Sequence, residues 1–259
     1  MDKIIAQGRL LFAIAIAAFG VENIVCARFG QAVMPVIPWL PANPALVYLA
    51  GIALIAAGVC IANNVMPRLV AILLGAFFFA CVLALQVPKV AAHPFDLGFR
   101  TTAFETLSMC AASWTLAASF APHPPHIQKW AGPLDLLLKS GRYLFAVSSI
   151  VFGIDHFLLL RFIASLIPAW FPGALFWAYF TGAAFVAAGI SIAIKTMDRL
   201  AAVLLGTMFL LWFLFLHAPR LMSAPRSHNP NEWSSAFIAL GMCGASWIMA
   251  GDSLRGRRT

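Results

Sequence analysis

Predominantly apolar runs about twenty residues long recur through this chain, and no other feature limits its fold as strongly. Twenty residues of helix span the ~30 Å hydrocarbon core of a bilayer. Eight such runs can be drawn, at roughly 9–27, 45–62, 68–87, 101–120, 142–160, 174–194, 199–218 and 233–250, each bounded by Pro, Gly, Asn or a charge. The runs are continuous rather than alternating, which favours helices over the strands of a barrel. Hydrophobic residues make up 62% of the chain and charged residues 10%, whereas a soluble domain holds about 45–50% and 25%. The fold class expected is therefore all-α, a polytopic membrane protein of eight transmembrane helices, with the lipid bilayer as its surroundings.

The net charge of +8 does not indicate nucleic acid, because the cations sit singly at the ends of apolar runs. Eleven of the seventeen Lys and Arg fall on the side of the N-terminus if the spans alternate, which predicts both termini in the cytoplasm of a bacterial inner membrane. The first run lacks a small-residue cleavage site and reads as a retained helix. The five cysteines form no CxxC pair, and most lie inside apolar runs as small packing residues.

The chain also repeats itself. GRLLFA at 8–13 returns as GRYLFA at 141–146, and YLAGIALIAAG at 48–58 as YFTGAAFVAAG at 179–189. MPRLVAILLG at 66–75 returns as MDRLAAVLLG at 197–206, and MCAASW at 109–114 as MCGASW at 242–247. Four ordered matches at an offset of 131 to 133 predict a tandem duplication of a four-helix unit: residues 1–120, a cytoplasmic linker at 121–140, and residues 141–259 with a basic tail. Four spans per unit make the repeats parallel, unlike the inverted repeats of many transporters. The stretch LDLLLKSGRYL is expected to run along the interface before span five.

Within these runs a few polar residues stand out. Asp155 and His156 lie side by side in VFGIDHFLLLR, about 20 Å along span five, and His217 lies about 27 Å along span seven. With Trp212, Arg161, Arg220, Glu232 and His228 they are expected to gather at the outer level of the second repeat. The first repeat carries Glu22, Asn23, Arg28 and Gln86 at the corresponding positions, so amides stand where the second repeat has imidazoles. Two readings are open. In one, Glu22 with Arg28 and Asp155 with Arg161 are ion pairs that staple helix ends and do no chemistry. In the other, Asp155 orients His156, and His217 completes a catalytic pocket suited to a quinone or to proton-coupled electron transfer, with Trp212, Arg161, Arg220, Glu232 and His228 lining it. A haem held by His156 and His217 is less favoured, since the two rings would have to face one another across the bundle. The pair His123 and His126 offers too few ligands for a closed zinc site, and no metal site is expected.

The phrase GRxLFA…FG in the first span of each unit, with the second-span Gly-x6-Gly and a following MxRL, resembles the DoxX-like (DoxX/DoxD) family of four-helix membrane proteins. The resemblance covers nearly all of the chain outside the linker and tail. It implies a membrane subunit of a quinone-linked or other redox system, working with a redox partner protein. Family members often carry a Lys three residues after the first-span glycine, where this chain has Asn23 and His156. Many carry an acid in the second span, where this chain has Leu54 and Phe185. The alternatives are a small-solute permease or channel, and a non-catalytic membrane scaffold for a partner protein; the oligomeric state is left open.

Overall fold

The structure, a computed structural model, describes residues 3–27, 29, 43–120, 131–223 and 230–255. No strand occurs among them. The helices are α1 (Lys3–Cys26), α2 (Pro44–Ala62), α3 (Pro67–Ala92), α4 (Leu97–Ala118), α5 (Ala131–Leu158), α6 (Leu160–Leu166), α7 (Ala174–Ile194), α8 (Asp198–Ser223) and α9 (Pro230–Arg255). Their starts follow local chemistry. The Asn43 side chain accepts the Ala45 N–H at 3.0 Å ahead of Pro44, and Asp96 accepts those of Gly98 and Phe99 at 2.8 and 3.2 Å. Each supplies an acceptor to N–H groups that have no partner inside their own helix.

Seven of the helices are long and apolar enough to cross a membrane: α1, α2, α3, α5, α7, α8 and α9. The run expected at 101–120 is helical as α4, but it carries Arg100, Glu105 and several hydroxyls and is not among the seven. Its position explains its polarity. α4 packs against α3, α5 and α9, and its side chains are buried almost without interruption from Thr106 to Ala117. A helix enclosed by protein does not need an apolar surface all round. Its hydroxyls bond back to carbonyls one turn earlier: Thr106 to Thr102, Ser108 to Phe104, and Ser113 to Met109, at 2.8–3.0 Å.

Helices adjacent in sequence pack side by side, from α1 through α9, and α9 returns to α1 so that the series closes. α4 and α9 meet across the middle. The two halves of the chain are thus interleaved, with α1 on α9 and α5 on α4. One departure from expectation concerns residues 131–140. They form the first turns of the 28-residue α5 instead of a separate interfacial stretch. At 1.5 Å per residue α5 is about 42 Å long, more than the ~30 Å a bilayer core requires.

Local features recur at the repeat offset. The turns before α3 and α8 place Asn64 and Met66, then Lys195 and Met197, in the left-handed region, with φ of 62°, 44°, 58° and 51°. Gly75 lies against Trp114 as Gly206 lies against Trp247. α1 crosses α2 at Gly20 and Gly51, and α5 crosses α7 at Gly153 and Gly182. A Cβ on Gly20 would lie 2.4 Å from the Gly51 carbonyl oxygen, and one on Gly153 would lie 2.7 Å from that of Gly182. Backbones approach this closely only where a side chain is missing.

Gly20→Ala and Gly153→Ala are therefore each expected to destabilise the bundle by about 1–3 kcal/mol. Gly132→Ala, with nothing within 4 Å of the added atom, should be neutral. Thermal unfolding of the three variants in one detergent checks this.

Candidate functional site

Several of the polar residues singled out in the sequence, among them Glu22, Asn23, Gln86, Asp155, His156, His217 and Glu232, lie toward one end of the bundle, where α4 and α9 begin and α1, α3, α5 and α8 finish. Bonds between helices establish this level. The Asp155 carboxylate on α5 receives Arg100 of α4, and its second oxygen accepts the Thr101 hydroxyl at 2.9 Å. On the other side of the bundle the Ser234 hydroxyl of α9 donates to Glu22 of α1 at 2.5 Å. Asp155 stands 133 positions after Glu22, and Ser234 stands 133 after Thr101. Each half therefore offers an acid from its first helix to a hydroxyl on the last helix of the other half. Asp155 and Glu22 are both buried, at 3% exposure, where a carboxylate persists only with such partners.

Two expected relations are not formed. Asp155 does not pair with Arg161, because α5 stops at Leu158 and Arg161 sits exposed on α6. Its cation is Arg100, 55 positions earlier in the chain. Nor does Asp155 orient His156: consecutive helical residues point about 100° apart, and the His156 Nδ1 lies 2.7 Å from the Phe152 carbonyl one turn back. Since a carbonyl only accepts, Nδ1 carries the proton in that bond and a neutral ring leaves Nε2 as a bare acceptor. Nε2 is buried and has no hydrogen-bond partner among the described residues.

His156 is packed among aromatic rings. Trp212 of α8 lies nearly parallel to it, at 17° and 5.6 Å between centroids, and Phe185 of α7 lies at 5.0 Å. Gly182 makes the approach feasible, as a Cβ there would come 2.9 Å from the His156 Cβ. Just past Trp212, α8 widens into a π-helical segment, Phe213–His217. Its counterpart in α3 is Val82–Gln86. Both segments end two residues before a proline, Pro219 and Pro88. Proline has no N–H to give and its ring presses on the carbonyl four residues back, so the helix takes in one extra residue. His217 and Gln86 close these segments.

His217 forms a second cluster. Its Nδ1 lies 2.9 Å from Glu232 Oε1, and both side chains are largely buried. Arg220 donates to the Leu166 carbonyl at 2.6 Å and lines a groove of about 430 Å³ with Trp170, Phe215 and Pro219. The His156 and His217 rings neither stack nor hydrogen-bond to each other; α8, through Trp212, links their surroundings. In the first half, the Gln86 amide reaches the Thr106 hydroxyl at 3.5 Å, and Asn23 is buried beside Glu22. Arg28 and His228 lie outside the described residues.

No family model, curated protein or solved structure matches this chain. The site is therefore read from its own geometry. Arg100, Thr101 and Ser234 belong to it although the sequence reading passed over them. The repeat offset that aligned Glu22 with Asp155 also aligns Thr101 with Ser234, and this was the signal available for the two hydroxyls. The opposite end of the bundle is cationic and built differently. Arg142 is buried there, bonded to Asp198 at 2.8 Å and to the Ile192 carbonyl at 3.2 Å, while Arg9 bonds to Asn64 at 2.7 Å. Among the described residues no group of three or more His, Cys, Asp and Glu is arranged to hold a metal.

A double-mutant cycle tests the rewired ion pair. Asp155→Asn with Arg100→Gln should show a coupling of about 1 kcal/mol or more, as expected for contacting charges, while Asp155→Asn with Arg161→Gln should be additive. Unfolding midpoints in detergent supply both numbers.

Proposed function

We propose that the chain is a DoxX-like protein of the bacterial cytoplasmic membrane that binds a quinol at His156 and serves a redox partner protein. In this reading it crosses the bilayer eight times, as two parallel four-helix repeats, with α4 the protein-enclosed span and both termini cytoplasmic. The cationic end holding Arg9, Arg68 and Arg142 is then cytoplasmic and the end holding Asp155 and His156 periplasmic, in keeping with the bias of positive residues. Recurrence of the left-handed turns, glycine crossings and π segments at the repeat offset supports the duplication.

One observation carries the ligand: the buried Nε2 of His156, which is without a partner and is flanked by Trp212 and Phe185. A buried acceptor left unsatisfied costs free energy that a hydroxyl donor recovers. A quinol provides such a hydroxyl on a flat aromatic ring and can give up two electrons and two protons. His156 would accept the hydroxyl hydrogen bond, Trp212 and Phe185 would set the plane of the ring, and Phe152 would hold the imidazole in its tautomer. The Glu232–His217 pair, whose imidazole is already hydrogen-bonded to a carboxylate, is the nearest acid–base couple on α8 to receive a proton.

A second reading, a small-solute permease, draws on the π segments, which loosen the third long helix of each half at matching points. Solute flux in proteoliposomes distinguishes it.

His156→Phe keeps an aromatic ring and removes the acceptor. Loss of one hydrogen bond of about 1.4 kcal/mol should weaken binding of decylubiquinol roughly tenfold, read from quenching of tryptophan fluorescence in detergent. Equal affinity in the two proteins, or no binding by either, overturns the reading.

A further inference from the structure

Glu105 has no role in either cluster, yet it lies eight residues into α4, level with the polar end of the bundle. It makes no hydrogen bond or ion pair among the described residues, and it is only partly buried. Its location follows from its neighbour one turn on. Met109 shares the same face of α4, and that side chain reaches α9 at Gly241: a Cβ on Gly241 would meet Met109 Sδ at 3.1 Å and Ala15 Cβ at 3.3 Å. α4, α9 and α1 thus converge at the middle of the bundle at Met109, where the packing is closed and Met109 is 0% exposed. One turn nearer the polar end, Glu105 retains accessible surface.

Among the described residues no cation pairs with Glu105: Lys89 of α3 lies over the Phe99 ring at 5.9 Å from its centroid, and His93 lies beside the same ring at 5.4 Å. The residue 133 positions on is Ile238, which shares the inner face of α9 with Gly241. On α5, Asp155 is itself an acid and is held by Arg100 and Thr101. On α1, Glu22 accepts from Ser234 of α9, and Asn23 beside it carries no charge. Glu232 of α9 is joined to His217 of α8, and Gln86 of α3 reaches Thr106. On α4 itself, Arg100 lies about 140° around the helix from Glu105 and is engaged by Asp155. A metal cation would need several oxygens at once, and the hydroxyls within a turn are already bonded, Thr101 to Asp155 and Thr102 to the Gly98 carbonyl. A proton needs only the carboxylate.

We propose that Glu105 is a proton-exchange site, a neutral carboxyl at the central junction that trades its proton with water entering from the Arg100 end. A carboxylate in low dielectric with no cation paired to it favours the protonated form, and its accessible surface leaves that proton able to exchange. The claim is independent of what His156 binds.

Two measurements on the full chain test it. N,N′-Dicyclohexylcarbodiimide adds a protonated carboxyl across its C=N bond, the acid proton passing to nitrogen, and the adduct rearranges to a stable acylurea. At neutral pH in detergent, mass spectrometry should find the adduct on Glu105 and not on Asp155, whose two oxygens are bonded to Arg100 and Thr101. No adduct on Glu105, or equal labelling of Asp155, overturns the proposal. Infrared spectroscopy should show a protonated-carboxyl carbonyl band that is lost in Glu105→Gln and shifts on transfer to D2O. A band that Glu105→Gln leaves in place, or one that does not move in D2O, overturns it equally. Glu105→Gln is isosteric and introduces no charge, and an unfolding midpoint equal to that of the parent shows that loss of the band reports the carboxyl alone.

Discussion

Lipid offers no hydrogen bonds, so a polar side chain in a spanning helix must find its partner within the protein, and this requirement organises the bundle. The clearest result is the reciprocal acid–hydroxyl clasp, Glu22 to Ser234 and Asp155 to Thr101. Partners on opposite halves require α1 to lie on α9 and α5 on α4, as they do. Close glycine crossings act within each half, α1 on α2 and α5 on α7, and also between the halves, Gly8 against Gly244 on α1 and α9 and Gly141 against Ala111 on α5 and α4, while the clasps join the halves at the other end. Arg142 with Asp198 secures the other end of α5 to the start of α8.

The same requirement explains which features could be read from sequence. Apolar runs of membrane-spanning length mark helices whatever their partners, so seven candidates and the region of α4 were legible, as was the gathering of polar residues at one level. Pairing was not. Arg161 is the cation nearest to Asp155 in the chain, but the break at Leu159 places it on a different element; Arg100 is remote in sequence and adjacent in space because α4 and α5 pack together. The start of α5 was missed for a related reason. LDLLLKS has apolar and polar residues on separate faces, which suits an interfacial helix and equally suits the exposed first turns of a long one. The π segments did leave a mark, a proline two residues after Gln86 and after His217.

Under the proposed function, differences between the halves mark where a ligand would bind. The shared frame of turns, glycines, clasps and π segments has little reason to vary, since each part answers a packing or hydrogen-bonding demand. Around His156 it does vary: Asn23 becomes His156, Leu54 becomes Phe185, and Cys81 becomes Trp212. Those three changes fall on three different helices, yet they meet in one aromatic cluster. A scaffold alone would be served as well by the smaller residues of the first half, which fit the same frame.

Glu105 is the complementary case, a position where the first half carries the ionisable group and the second the apolar one, Ile238. The two asymmetries fall on different helices, an imidazole on α5 and a carboxyl on α4. Neither is needed to hold the frame. Each of the acids that do so already has a hydroxyl partner, and Asp155 has a cation as well, before His156 or Glu105 is considered. A frame whose turns, glycine crossings and clasps recur in both halves leaves such positions free to change, and in lipid a polar group placed at one of them is costly unless something beyond the frame, a ligand or a proton, completes it.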